Sequence, residues 1–179
     1  METGQVLHAR FGDVCVLKFV GSIGFTSNWT FPLSKALRVF LDKLFEEKDF
    51  DNIVIDLTEA TGIDSTNLGL LAEIARFSID EFGRKATLIA REGRVMKALN
   101  VTGFDVLYTI FGMDAPIQGP LKPLPEVEDG NVDVPRMILD AHLTLSGMNE
   151  HNRRLFHNVV EALANDIARK EQEKANPPS

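Results

Sequence analysis

The sequence is poor in cysteine, in positive charge and in long apolar runs. One cysteine, Cys15, rules out an internal disulfide, and its place in the apolar run VCVLKFV predicts a small buried side chain in a reducing compartment. A formal net charge of −7 argues against a nucleic-acid partner, because proteins that bind the phosphate backbone concentrate positive charge. No run approaches about eighteen apolar residues, and METGQVLHARFGD lacks the charge pattern of a leader. We therefore expect a cytoplasmic protein that does not insert directly into a membrane.

The length and composition favour one domain followed by an extension. With 179 residues, 44% of them apolar, the chain can bury one substantial core but not two. Prolines at 116, 120, 123 and 125 fall among acidic residues, which excludes a regular helix or a central strand there. We expect a domain over residues 1–111, a proline-rich acidic linker over 112–134 and a helical C-terminal extension over 135–179.

The pattern of the domain is typical of an α/β fold. The β-prone runs QVLHAR and VCVLKFV flank Phe11-Gly12-Asp13, which predicts a hairpin. Helical spacing of apolar residues predicts helices that begin near Pro32 and at Ser65, with the second ending at Phe82. NIVIDL, KATLIA and VLYTIF read as strands, and GRVMKALNVTG as a short helix. Strands that alternate with helices predict parallel pairings in a mixed sheet of four or five strands.

The extension contains apolar stripes at helical spacing. One kinked helix and a helical pair both fit this pattern, in which Gly147 separates the two stripes. The stripes are formed by Ile138, Ala141, Leu145 and Met148, and then by Leu155, Phe156, Val159, Leu163 and Ile167. Such a surface packs back on the uncovered face of the sheet or pairs with another chain as a homodimer.

Two further groups of residues are candidates for a binding role. The loop GSIGFTSNW carries Ile23, Phe25 and Trp29, which form a binding surface or tuck beneath the first helix. The four histidines of the chain show no metal-ligand spacing, so we expect surface or interface histidines and neither a metal nor a cofactor.

The turn between NIVIDL and the second helix carries four consecutive polar residues, Asp64, Ser65, Thr66 and Asn67. Asp64 or Ser65 alone is enough to cap a helix, but here four such residues follow the carboxyl end of a central strand, where α/β sheets place their sites. A serine at a helix start also favours a phosphate of about −1.5 to −2 charges. Nucleophilic catalysis needs a base, for which the sequence offers no residue set, and the glycines of a hydrolase elbow are absent. We therefore expect no catalytic residue.

The segment VIDLTEATGIDSTNLGLLAEI, followed by ATLIA and VMKALNVTGFDVLYTIF, resembles the STAS domain of bacterial anti-sigma factor antagonists over residues 5–111. The signature of that family is a strand, then Asp-Ser-Ser/Thr-Gly-Leu/Val-Gly, then a helix; Asn67 stands where the family commonly has glycine. The resemblance implies that Ser65 is phosphorylated by a partner that is both anti-sigma factor and serine kinase, with support from Asp64. It also implies that the unphosphorylated form binds this partner and frees the sigma factor, and that a PP2C-type phosphatase reverses the modification.

We therefore expect a non-enzymatic binding protein that is switched by phosphorylation. Its partner is an anti-sigma factor, or a response regulator with kinase or phosphatase domains. The predicted docking residues are Asp64, Ser65, Thr66, Asn67 and Leu68, with Thr66 as a second candidate acceptor. The alternative is a constitutive STAS scaffold or ligand-binding module of a signalling or transport assembly, in which Ser65 is only a cap.

Overall fold

The computed structural model describes residues 4–24, 31–128 and 130–176. Its elements follow the predicted order up to the linker. They are β1 (Gln5–Phe11), β2 (Val14–Ile23), α1 (Pro32–Glu47), β3 (Asn52–Ile63), α2 (Ser65–Phe82), β4 (Ala86–Ala90), α3 (Arg94–Thr102), a 3₁₀ turn (Phe104–Val106), β5 (Tyr108–Gly112), β6 (Lys122–Pro123), α4 (Val134–Ser146) and α5 (Glu150–Ala175).

The strands form one mixed sheet in the order β5-β4-β3-β2-β1-β6. β1 is antiparallel to β2 and to β6, whereas β2, β3, β4 and β5 are parallel to one another. The predicted α/β fold is thus confirmed, but the predicted count of four or five strands is wrong, since the described residues form six. The sixth, β6, has two residues inside the proline-rich segment and lies at the edge, where proline is tolerated.

Alternation along the strands separates two faces of the sheet. One face carries Cys15 and Leu17 opposite Ile53 and Ile55, all buried in the hydrophobic core. Helix α1 adds Leu37 and two further fully or nearly buried leucines to the same core. The amphipathic spacing of α1 is explained by this single buried side.

The other face of the sheet is tied to the linker through Asp56 in β3. Asp56 is fully buried and accepts hydrogen bonds from the backbone N–H of Ile117 at 2.7 Å and from the Thr58 hydroxyl at 2.6 Å. A buried carboxylate is costly unless such partners satisfy it. The linker around Ile117 is therefore anchored to β3, in the middle of the sheet.

The extension forms a helical pair, α4 and α5, rather than one kinked helix. Asp133 caps α4 by accepting from the Arg136 N–H, and Asn149 caps α5 by accepting from the Asn152 N–H. Helix α4 packs on α2, so the predicted packing on an uncovered face of the sheet is wrong. Pairing of the extension with another chain stays a prediction.

Within the part of the chain that is described, no helix combines the length and the apolar character needed to cross a membrane.

The predicted binding loop is described only in part. Ile23 ends β2 and is 1% exposed, which places it in the core. Phe25 and Trp29 lie outside the described residues.

Candidate functional site

The start of α2 is capped by Asp64. Strand β3 ends at Ile63, and the Asp64 carboxylate then accepts the backbone N–H of Asn67 at 2.9 Å. This contact satisfies one of the unpaired donors of the first helical turn and places negative charge at the positive end of the helix dipole. Since Asp64 caps the helix, the hydroxyl of Ser65 is not needed for capping.

The side chain of Asn67 holds the cap in place. Its amide nitrogen donates to the same Asp64 carboxylate oxygen at 2.9 Å, and its amide oxygen accepts from the Ser34 hydroxyl of α1 at 3.2 Å. Asn67 and Ser34 are both fully buried. Asparagine at this position therefore links the start of α2 to α1, which glycine cannot do.

The hydroxyl of Ser65 is paired with a histidine of the C-terminal extension. Ser65 Oγ lies 2.9 Å from His142 Nε2, and His142 Nδ1 lies 2.7 Å from the Ile138 carbonyl oxygen. A carbonyl oxygen only accepts, so Nδ1 carries a hydrogen. In the neutral imidazole Nε2 is then an acceptor, and Ser65 donates its proton to it.

His142 corrects two expectations drawn from the sequence. The residue is 4% exposed and packs edge-to-face against Phe156 of α5, so the prediction of surface or interface histidines is wrong for it. The statement that the chain offers no base for Ser65 is also wrong. The two side chains are 77 positions apart along the chain, and only the seating of α4 on α2 brings them together.

Helices α2 and α4 are in close contact one turn after this pair. A Cβ atom placed on Gly69 would lie 2.3 Å from the carbonyl oxygen of Ala141, a distance that no side chain tolerates. About two turns further along α2, the Arg76 guanidinium donates to the Thr144 carbonyl oxygen at 3.5 Å. The absence of a side chain at Gly69 is what permits this helix crossing.

The five predicted docking residues differ in exposure. Asp64 and Ser65 are partly exposed, whereas Thr66, Asn67 and Leu68 are buried, at 4%, 0% and 4% exposure. The structure brings all five together in the first turn of α2, with Ser65 beneath the extension. Their contact with a partner stays a prediction.

The Ser65–His142 pair has the geometry of a nucleophile with its base. A substrate would also need a cavity beside the hydroxyl. One surface pocket, of about 1230 Å³, lies between α1, β1 and the linker, where Arg10, Phe40 and Lys122 line it. Another, of about 200 Å³, includes Thr58 and Arg91. Neither of these two pockets is lined by Ser65 or His142.

The sequence did contain a signal for His142. With Ile138, Ala141 and Leu145 it completes the i, i+3, i+4, i+7 stripe of α4, which places it on the buried side of that helix. A histidine on such a stripe needs a polar partner when it is buried. Which partner it meets depends on the packing of α4, which the local pattern does not contain.

The family of the chain is established by its sequence match. The family model of the STAS domain matches residues 9–112, which is more than half of the chain. The chain therefore belongs to the STAS domain family, and the resemblance carried by the β3–α2 segment is confirmed. Among curated proteins, a search by sequence found no match.

Two solved structures are similar to parts of the chain. One is the anti-sigma factor antagonist SpoIIAA in its unphosphorylated form, with 13% identity and a TM-score of 0.48 over 59% of this chain and 85% of that chain. The other is an anti-sigma factor antagonist from Mycobacterium paratuberculosis, with 19% identity and a TM-score of 0.46 over 62% of this chain and 87% of that chain.

Proposed function

We propose that this STAS domain protein is a cytoplasmic anti-sigma factor antagonist of a bacterial cell, and that phosphorylation of Ser65 switches its binding. The partner is an anti-sigma factor that is also a serine kinase, or a response regulator with kinase or phosphatase domains, and a PP2C-type phosphatase restores the serine. The unphosphorylated protein binds the partner over the start of α2.

The observation that carries this proposal is that Asp64, and not Ser65, caps the start of α2. Asp64 caps the helix, so the Ser65 hydroxyl, at the first helical residue, is not needed to satisfy the backbone N–H groups of the first turn. A phosphate at this position is favoured by the helix dipole, although the Asp64 carboxylate beside it adds repulsion. Adding up to about two negative charges here replaces the hydrogen bond between Ser65 and His142 and so changes the surface at the start of α2.

A constitutive scaffold or ligand-binding module is the second candidate function, and one observation favours it. Ser65 is hydrogen-bonded to His142, and the residues that follow it are buried. In a scaffold this closed arrangement is permanent and the serine is never modified. The two functions therefore differ in whether Ser65 accepts a phosphate.

Phosphorylation is tested directly by mass. The full chain is incubated with ATP and the candidate anti-sigma factor kinase, and its intact mass is measured over time. We expect one added phosphate, which peptide mapping places on Ser65 and which is missing in Ser65→Ala. A PP2C-type phosphatase is expected to remove it.

Thr66→Ala serves as the matched control, since Thr66 is the adjacent hydroxyl and is buried. It is expected to accept phosphate as the parent chain does. A chain that stays unmodified with every candidate kinase, or that loses phosphate only in Thr66→Ala, contradicts the proposal and favours the scaffold.

A further inference from the structure

The outer side of α2 is covered by the chain itself. Ser65, Gly69 and Arg76 lie on one side of α2 at helical spacing, and each contacts α4 or the residue that ends it. The side therefore begins at the proposed phosphorylation site and continues for about three turns. Any partner that docks on this side must take the place of α4.

Helix α4 fits closely against α2 because the residues at their contact, Gly69 and Ala141, are small. The backbone of Ala141, which is fully buried, occupies the space that Gly69 leaves open. His142, the next residue, reaches the Ser65 hydroxyl. A helix with a small residue at the crossing and an acceptor beside it is thus the kind of ligand that this side of α2 selects.

The pair α4–α5, which we call the hairpin, is joined to the domain by hydrogen bonds and by Leu145 and Phe156, which belong to the hydrophobic core. Asn152 is fully buried and donates to the carbonyl oxygens of Thr102 in α3 and Leu145 in α4, and Asn149 also donates to Thr102. Within α5, Asn152 and Phe156 are the buried residues. The remainder of this helix is only partly buried or exposed, so most of α5 adds little to the attachment.

We propose that the hairpin is an autoinhibitory cap: α4 is an in-chain ligand of α2 that covers Ser65 and the partner surface until the hairpin leaves. This inference rests on the proposed function for the identity of the partner, but the covering and its release are properties of this chain alone. The partner's apparent affinity equals its affinity for the open state multiplied by the fraction of molecules that are open, so each tenfold preference for the closed state weakens binding about tenfold. The competing ligand is a helix of the partner with a small residue at the crossing.

The cap is tested by the reactivity of a thiol introduced at position 65. In full-length Ser65→Cys, the rate of modification by N-ethylmaleimide is followed by intact mass. The native Cys15 gives an internal reference, because it is 1% exposed and its burial raises the pKa of the thiol to about 11. Cys15 therefore reacts only when the core opens.

Two substitutions in α4 are compared in this background. Ala141→Glu places bulk and charge against Gly69 and is expected to release the hairpin. Leu143→Glu is the matched control, since Leu143 is 48% exposed on the same helix. We expect labelling at position 65 to be about tenfold faster with Ala141→Glu and unchanged with Leu143→Glu, while Cys15 stays unmodified in both.

Equal labelling at position 65 in all three backgrounds, with Cys15 protected, would overturn the cap. If Ala141→Glu also exposes Cys15, the chain has unfolded, and the smaller wedge Ala141→Leu decides between the same two outcomes. No kinase takes part in this experiment. Failure of the cap is therefore distinguishable from failure of the proposed phosphorylation.

Discussion

At the scale of single residues, the start of α2 depends on hydrogen bonds that only one side chain can make. Asn67 stands where the signature that this segment resembles has glycine, and the structure shows which hydrogen bonds its side chain adds. Its backbone N–H and its side-chain amide both donate to Asp64, and its amide oxygen accepts a hydrogen bond from the Ser34 hydroxyl. Because Asn67 and Ser34 are fully buried, breaking these bonds leaves polar groups without water.

Asn67→Gly is therefore expected to destabilise the chain. The loss combines about 0.5–1 kcal/mol for glycine in a helix with about 1 kcal/mol for each buried hydrogen bond, which gives about 2–3 kcal/mol. Urea unfolding measures this free energy.

Asn158→Gly is the control for that substitution, because Asn158 is exposed in α5 and reports the helical cost of glycine alone. The excess loss in Asn67→Gly isolates the buried hydrogen bonds. Equal losses in the two variants would show that the Asn67 side chain contributes nothing.

At the scale of elements, the first turn of α5 attaches the hairpin to α3. Asn152 connects α5 to α3 and α4 through two carbonyl oxygens, at 2.9 Å from Thr102 and 3.1 Å from Leu145. Phe156, one turn later, packs on His142. The position of His142 over Ser65 is thus fixed from the far side of α4.

Asn152→Ala is expected to loosen the hairpin without unfolding the sheet. Loss of the two hydrogen bonds corresponds to about 1–2 kcal/mol, so amide exchange in α4 and in the first turns of α5 should accelerate about tenfold. Hydrogen exchange followed by mass spectrometry measures each element separately. Asn158→Ala, an exposed asparagine of the same helix, should leave exchange unchanged.

Uniform acceleration across β3, β4 and the hairpin would contradict this separation. The hairpin would then open only with the whole domain, and a cap that leaves a folded STAS domain behind would be excluded.

The sequence predicted those elements whose signals are local. The antiparallel pair β1–β2, which turns at Gly12 with a positive φ of 58°, and the bounds of α2 both follow from neighbouring residues. Both predictions are confirmed. The helical stripes of the extension likewise predicted helices. These features needed no knowledge of contacts between distant segments.

Features that depend on distant contacts were missed. The strand β6 exists because the linker returns to pair with β1; its prolines exclude a regular helix or a central strand, but they permit an edge strand. Asp56 reads as one polar residue in an apolar strand, and its partner Ile117 is 61 positions away. The Ser65–His142 pair spans 77 positions. In each case packing, rather than local pattern, selects the partner.

At the scale of the whole molecule, a STAS domain and a helical hairpin share one surface. The domain presents Ser65 at the start of α2, and the hairpin occupies the same side of that helix. Under the proposed function, a phosphate on Ser65, a partner on α2 and the α4–α5 hairpin would therefore compete for the same side of α2. The energies of the three arrangements decide which is populated.

The most direct test of the switch is the affinity of the anti-sigma factor kinase for two full-length variants, measured by titration calorimetry. Ser65→Ala removes the acceptor hydroxyl and its bond to His142, and Ser65→Asp places a negative charge at the same position. We predict that Ser65→Ala binds at least about tenfold more tightly than Ser65→Asp, a difference of about 1.4 kcal/mol. Equal affinities for the two variants would contradict a switch at Ser65.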